Sequence, residues 1–113
     1  MITIEALKQF GADTGDGLSR CMGNEAFYFK LIGKVIDDDN FAVLERAISE
    51  KDLDTAFEAA HSLKGVLGNL ALTPIYTPVY EITELLREKR DIDYSPYLNT
   101  ISEKRKELSG LLA

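Results

Sequence analysis

Apolar residues return every three or four positions along nearly the whole chain, and no strand-like alternation persists. A short first helix is predicted from about Thr3 to Phe10, stopping at Gly11, and a second from Thr14 to Met22, ending at Gly23. Asn24 then caps a longer helix with Tyr28, Leu31, Ile32 and Val35 on one face, flanked by Phe27 and Phe29. The Asp37-Asp38-Asp39 run ends that helix and caps the next, where Phe41, Leu44 and Ile48 recur. Asp52 caps the following helix. Thr73-Pro74 reads as a cap and a first-turn proline ahead of the stripe Ile75, Val79, Ile82 and Leu86. Pro78 either begins that helix proper behind Thr77 or kinks its first turn. Ser95-Pro96 starts a last helix with Leu98, Ile101, Leu108 and Leu112 inward.

Four long amphipathic helices, each about 12–20 residues and joined by short connections, imply antiparallel neighbours. The expected architecture is all-α: an up-down antiparallel four-helix bundle with one or two short extra helices at its N-terminal end. Residues 1–113 read as a single domain, large enough to bury a core without disulfides or metals.

Composition narrows the function classes. The net charge of −6 supplies no basic stripe for nucleic acid. No run approaches the ~18 apolar residues of a membrane span, and the first residues do not read as a signal peptide. The single cysteine, Cys21, cannot form an internal disulfide, so a cytoplasmic setting is expected, with Cys21 a small half-buried hydrophobe. The aspartate run lacks the ligand spacing and turn glycine of a calcium loop. No large apolar surplus is present, and a monomer is expected.

His61 is the only histidine, and its placement carries the most information. At about 100° per residue, Ala56, Ala59, Leu63, Val66, Leu67 and Leu70 cluster roughly opposite it. Phe57, Lys64, Gly65 and Gly68 share its side. The imidazole is thus predicted on the solvent face of an amphipathic helix. Two interior glycines each cost roughly 1 kcal/mol relative to alanine, and they leave the surface beside the ring bare for close approach by a large partner. An exposed histidine with incidental glycines near a helix end is the plainer alternative.

Ala60-His61-Ser62-Leu63-Lys64-Gly65, followed by Gly68-Asn69-Leu70, resembles the signature of histidine-containing phosphotransfer (HPt) domains, which carry an A-H-x-L-K-G run on a helix of a four-helix bundle. The resemblance runs from Gly23-Asn24 through Arg87. Ala71-Leu72 stands where many members have glycine, which should alter the C-terminal turn of the helix and leave the site intact. The resemblance implies a phosphorelay carrier rather than an enzyme. His61 would accept a phosphoryl group from an aspartyl-phosphate on a response-regulator receiver and pass it to another receiver's aspartate. Histidine in water has a pKa of about 6.5, so an exposed imidazole is in general largely neutral and nucleophilic at neutral pH.

The partners implied are receiver domains, with a hybrid histidine kinase as a further candidate. Mg²⁺ would be supplied at the receiver's site, so this chain needs no cofactor or metal of its own. Lys64, one turn on, could meet the phosphoryl oxygens, with a solvated surface lysine as the plain alternative. Phe57, Gly65, Gly68 and Asn69 are the candidate partner contacts, Asn69 standing between a helix-end role and the border of the site. Three rivals remain: a helical module that binds receivers without carrying phosphate, the dimerisation helix of a sensor kinase, and a helical metal carrier. The second usually has an acidic residue directly after its histidine, where Ser62 stands here. The third needs more than one histidine.

Overall fold

The computed structural model describes residues 2–112, leaving Met1 and Ala113 of the expected domain range outside the described residues. The described residues form seven helices: α1 (Ile4–Phe10), α2 (Thr14–Arg20), α3 (Glu25–Ile36), α4 (Asn40–Ser49), α5 (Leu53–Asn69), α6 (Thr73–Arg87) and α7 (Ser95–Leu112). The expected bundle is built from α4 to α7. α5 lies between α4 and α6, and α6 packs on α7. Connections at 50–52, 70–72 and 88–94 are short enough to fold each helix back on the one before it. The short α1 and α2 sit at the N-terminal end, and α3, at 12 residues a further long element, lies against α7 and α2.

Most helix starts are those the side chains dictate. Thr3, Asp13, Asn24 and Asp52 each accept a hydrogen bond from the backbone N–H three residues on, at 3.0–3.2 Å. Two starts differ from expectation. Asp39 precedes α4 but makes no capping bond, and Asp38 instead accepts from the Asn40 N–H at 2.8 Å. Thr73 is the first residue of α6 rather than its cap, which is Leu72 and has no side-chain bond. Pro78 neither begins nor divides α6. The helix runs unbroken through it with the ring buried, and the missing N–H removes the one backbone bond that would have gone to Pro74.

The helix ends share a device the sequence hides. α1, α2, α4, α5 and α6 each finish in a left-handed residue flanked by the paired backbone bonds of a Schellman turn. Only α1 uses glycine there, Gly11. The others use Met22, Lys51, Ala71 and Lys89, all with φ of 55–57°. After α5 the Ala71 N–H donates to Gly68 and the Leu72 N–H to Leu67, both at 3.1 Å. The turn therefore keeps the form glycine would give it, and the departure at Ala71 costs strain rather than shape.

The core lies where α5 presents Ala56, Ala59, Ala60, Leu63 and Leu67 to Phe41, Leu44 and Ala47 of α4 and to Ile75, Val79, Ile82 and Leu86 of α6, all buried. Three alanines on α5 let its neighbours approach closely. Val66, expected among the inward residues, is 38% exposed. It stands at the edge of the stripe, on the lip of a groove it shares with Leu31 and Val35 of α3. Leu98 and Leu112 are likewise only half-buried, whereas Ile101 and Leu108 are buried. Cys21 is buried. Arg105 of α7 donates through Nε to the Ile36 carbonyl at 2.8 Å and stacks over Phe41.

The N-terminal elements are tied to the end of α5. Tyr28 is fully buried and its hydroxyl donates to the Leu70 carbonyl at 2.8 Å, while the Asp13 N–H donates to Ala71 at 3.0 Å. Burial pushes the phenol up to about 12, with the charges of Cys21, Asp13 and Asp16 adding to it. α2 can approach this ring only because Gly17 has no side chain: a Cβ there would sit 2.5 Å from the Tyr28 hydroxyl oxygen.

Candidate functional site

α5 positions His61 in mid-helix with its ring exposed, as the periodicity requires. Phe57, one turn earlier, lies under it. The two rings are nearly parallel, inclined by 16° with centroids 5.6 Å apart. Phe57 is half-buried, and the Arg87 guanidinium of α6 stands 5.0 Å from its ring centroid. Arg87 is itself held by Glu84, Nε to Oε2 at 2.8 Å. That hydrogen bond keeps the Glu84 carboxyl below its ordinary range, and the charges of Arg87, Lys64 and His61 act in the same direction.

One turn after His61, Lys64 is half-buried rather than freely solvated. Its ammonium lies 5.7 Å from the centroid of the Tyr80 ring of α6, and Tyr80 stacks on Tyr76 with centroids 6.1 Å apart. The two glycines then part company. A Cβ on Gly65 would meet nothing within 4 Å, so this turn presents bare backbone to solvent. A Cβ on Gly68 would stand 3.1 Å from Cε1 of Tyr76. The clearance at Gly68 is taken by a neighbour within the chain, which corrects its reading as open space for a partner.

Asn69 is the last residue of α5. Its side-chain oxygen accepts from Arg20 of α2 at 3.4 Å, and Asp16 pairs with the same guanidinium at 3.3 Å. Lys64, Gly65, Gly68 and Asn69 thus form one wall of a shallow hollow, with Arg20 and Tyr76 on others. His61, Phe57, Lys64 and Gly65 share one continuous face. Asn69 borders the hollow at the far end of that face and makes no cap.

Sequence reasoning missed the contribution of α6. Tyr76, Tyr80, Glu84 and Arg87 recur at helical spacing beside the apolar stripe Ile75, Val79, Ile82 and Leu86, so they form the flank of α6 that adjoins the histidine face of α5. That periodicity was readable; which helix the flank would meet was not. Among the described residues, no group of three or more His, Cys, Asp or Glu side chains is arranged to hold a metal ion, and no helix is long and apolar enough to cross a membrane.

The Hpt domain family model matches residues 38–112, well over half of the chain. The chain belongs to the Hpt family. No match was found to a curated protein or to a solved structure. The matched segment opens later than the resemblance first suggested, at Asp38 rather than Gly23-Asn24, and it extends through α7. It takes in His61 and all of the α5 and α6 residues around it, whereas α1, α2 and α3 lie outside. Membership joins this Hpt domain to histidine phosphotransfer in two-component signalling, as a carrier module that meets receiver domains and kinases.

Proposed function

We propose that His61 is the phosphoryl acceptor and donor of this Hpt domain, relaying phosphate from the aspartyl-phosphate of one response-regulator receiver to the aspartate of another. The observation that carries the reading is the exposed imidazole on α5 with open backbone at Gly65 one turn away. A bulky partner could approach the backbone at Gly65 closely, because no side chain of the bundle stands within 4 Å of where a Cβ would be. In the forward step the lone pair of an unprotonated ring nitrogen attacks phosphorus. The new N–P bond forms as the P–O bond to the aspartyl carboxylate breaks, the electron pair leaves with that carboxylate, and the other ring nitrogen retains its proton. The return step reverses these changes on a second receiver.

Positioning and charge neutralisation are what such a transfer requires. Phe57 supports the former: its ring beneath the imidazole restricts the side chain's orientation. Lys64 would supply positive charge to the phosphoryl oxygens from one turn away. Mg²⁺ bound at the receiver would supply the rest, so the domain acts as a carrier and not as an enzyme, as a monomer in the cytoplasm. Phe57, Gly65 and the Asn69 border of the hollow would form the receiver's footprint, with Tyr76 covering Gly68.

The test is transfer from a phosphorylated receiver with Mg²⁺ to the purified domain. Acid-labile, base-stable label is expected on the wild type and none on His61→Gln. Label that survives this substitution would overturn the assignment. Receiver binding without any label on the wild type would instead establish a docking module that carries no phosphate.

A further inference from the structure

Lys64 is on the flank of α5 that adjoins α6, and two groups there compete for its ammonium. One is the Glu84 carboxylate, whose charged form is favoured first by the Arg87 hydrogen bond and further by the charge of Lys64. The other is the Tyr80 ring. Capture by Glu84 would pair the lysine and cancel the charge it could offer a phosphoryl group. The structure takes the other course. Arg87 occupies Glu84 through the 2.8 Å hydrogen bond, and Lys64 forms no ion pair among the described residues. Its ammonium lies 5.7 Å from the Tyr80 centroid, inside the roughly 6 Å reach of a cation–π contact. An aromatic face holds a cation in place while leaving its charge and its three donors available to a stronger acceptor.

Tyr80 is in turn fixed rather than free. Although 42% exposed, it stacks on Tyr76 at an interplanar angle of 11°, and Tyr76 is seated on the bare backbone of Gly68. A side chain at residue 68 would push Tyr76 outward and disturb the stack. Gly68, Tyr76, Tyr80 and Lys64 therefore form one connected series running from the C-terminal end of α5 back toward His61.

We infer that Tyr80 is a positioning residue for phosphotransfer: its ring, backed by Tyr76 over Gly68, holds the Lys64 ammonium unpaired and pre-placed for the phosphoryl group on His61. The inference rests on the reading of His61 as the phosphoryl acceptor, and its failure is distinguishable from the failure of that reading because the latter abolishes label on the wild type.

Transfer is measured from a phosphorylated receiver at saturating receiver concentration, for wild type, Tyr80→Phe and Tyr80→Leu, each with Lys64 and with Lys64→Met. Tyr80→Phe keeps the ring and should transfer at the wild-type rate. Tyr80→Leu should slow the maximal rate about two- to fivefold, the equivalent of an exposed cation–π contact. In the Lys64→Met background it should have no further effect. Proton NMR gives a readout that a merely structural role would not move. The Lys64 ε-methylene resonances should be shifted upfield by the ring in wild type and Tyr80→Phe, and should return to ordinary values in Tyr80→Leu. An equal loss of rate in both lysine backgrounds, a change only in the receiver concentration needed for half-saturation, an unaltered rate in Tyr80→Leu, or the absence of the ring-current shift would each overturn the inference.

Discussion

Gly65→Gln separates the two reasons a glycine can stand beside His61. If Gly65 is incidental, replacing it should only help the protein, because glycine inside a helix is less favourable than alanine by roughly 1 kcal/mol. Nothing in the fold opposes the change, since an added Cβ meets no atom within 4 Å and φ is not in the left-handed region. Gly65→Ala should therefore raise unfolding free energy by about 1 kcal/mol and the melting temperature by roughly 4 °C for a domain of this size. Gly65→Gln should retain most of that gain, as glutamine is also a good helix former.

Function should move the other way. Residue 65 lies one turn from His61 on the same face, so a glutamine side chain would project into the volume that a receiver would occupy under the proposed relay role of His61. Misplacement of reacting groups by about 1 Å can cost roughly a hundredfold in rate, so Gly65→Gln should slow transfer between tenfold and a hundredfold while Gly65→Ala slows it less. Thermal denaturation and the receiver transfer assay on the same preparations provide both numbers. A Gly65→Gln protein that transfers at the wild-type rate would show that no partner covers this part of α5. A Gly65→Ala protein that is destabilised would refute the local packing from which the argument starts.

Gly68→Ala is the internal control, because its Cβ would press on Tyr76 at 3.1 Å; its stability gain should be smaller than that of Gly65→Ala, and equal gains in a urea titration would count against the Tyr76 contact. Gly17→Ala should destabilise by about 1–3 kcal/mol through overpacking against the buried Tyr28 ring, and an unchanged denaturation midpoint would contradict the close approach of α2 to α3. Lys51→Gly should stabilise by about 0.5 kcal/mol, since relief of a left-handed residue outweighs the added freedom of the unfolded chain; the exposed Lys51–Asp91 pair at 3.7 Å contributes little, and a lowered midpoint would argue against strain at that turn. The Asp52 and Asp93 carboxyls are held below their ordinary 3.8, each by hydrogen bonds from the helix start it precedes. Their contribution is complete above that value and disappears as pH falls through the lowered folded values. Asp52→Asn should therefore flatten the acid limb of a stability–pH curve, and an unaltered acid limb would show that the cap bond is not formed in solution.

What the sequence disclosed, and what it concealed, follow from the range of the interactions involved. The faces of α5 and α6 were legible because a helix's own period decides which residues point inward. His61, Phe57, Lys64 and Gly65 therefore fall on one side as expected, with His61 and Gly65 exposed and Phe57 and Lys64 half-buried. Asn24 and Asp52 were legible as caps because a cap bond spans only three residues. Apart from the starts of α4 and α6, the differences arise where a second element intervenes. Gly68 looks identical to Gly65 along the chain and differs only because Tyr76 crosses from α6 to lie on it. Val66 belongs to the apolar stripe by count yet remains exposed on the lip of the α3–α5 groove.

The left-handed turns were hidden for a related reason. Glycine is the local signal for them, and Met22, Lys51, Ala71 and Lys89 adopt the conformation without it. Each must be over-determined by its surroundings, since a left-handed residue with a Cβ costs about 1–2 kcal/mol. At Ala71 the source of that compensation is visible. Its carbonyl accepts from the Asp13 N–H at 3.0 Å, and the preceding Leu70 carbonyl accepts from the buried Tyr28 hydroxyl at 2.8 Å. Both donors come from the N-terminal segment that the Hpt family model does not cover. α2 and α3 thus hold the end of α5 in a turn that glycine would otherwise be needed to make. Removing their donors should loosen the Gly68–Asn69 end of the site before it disturbs His61.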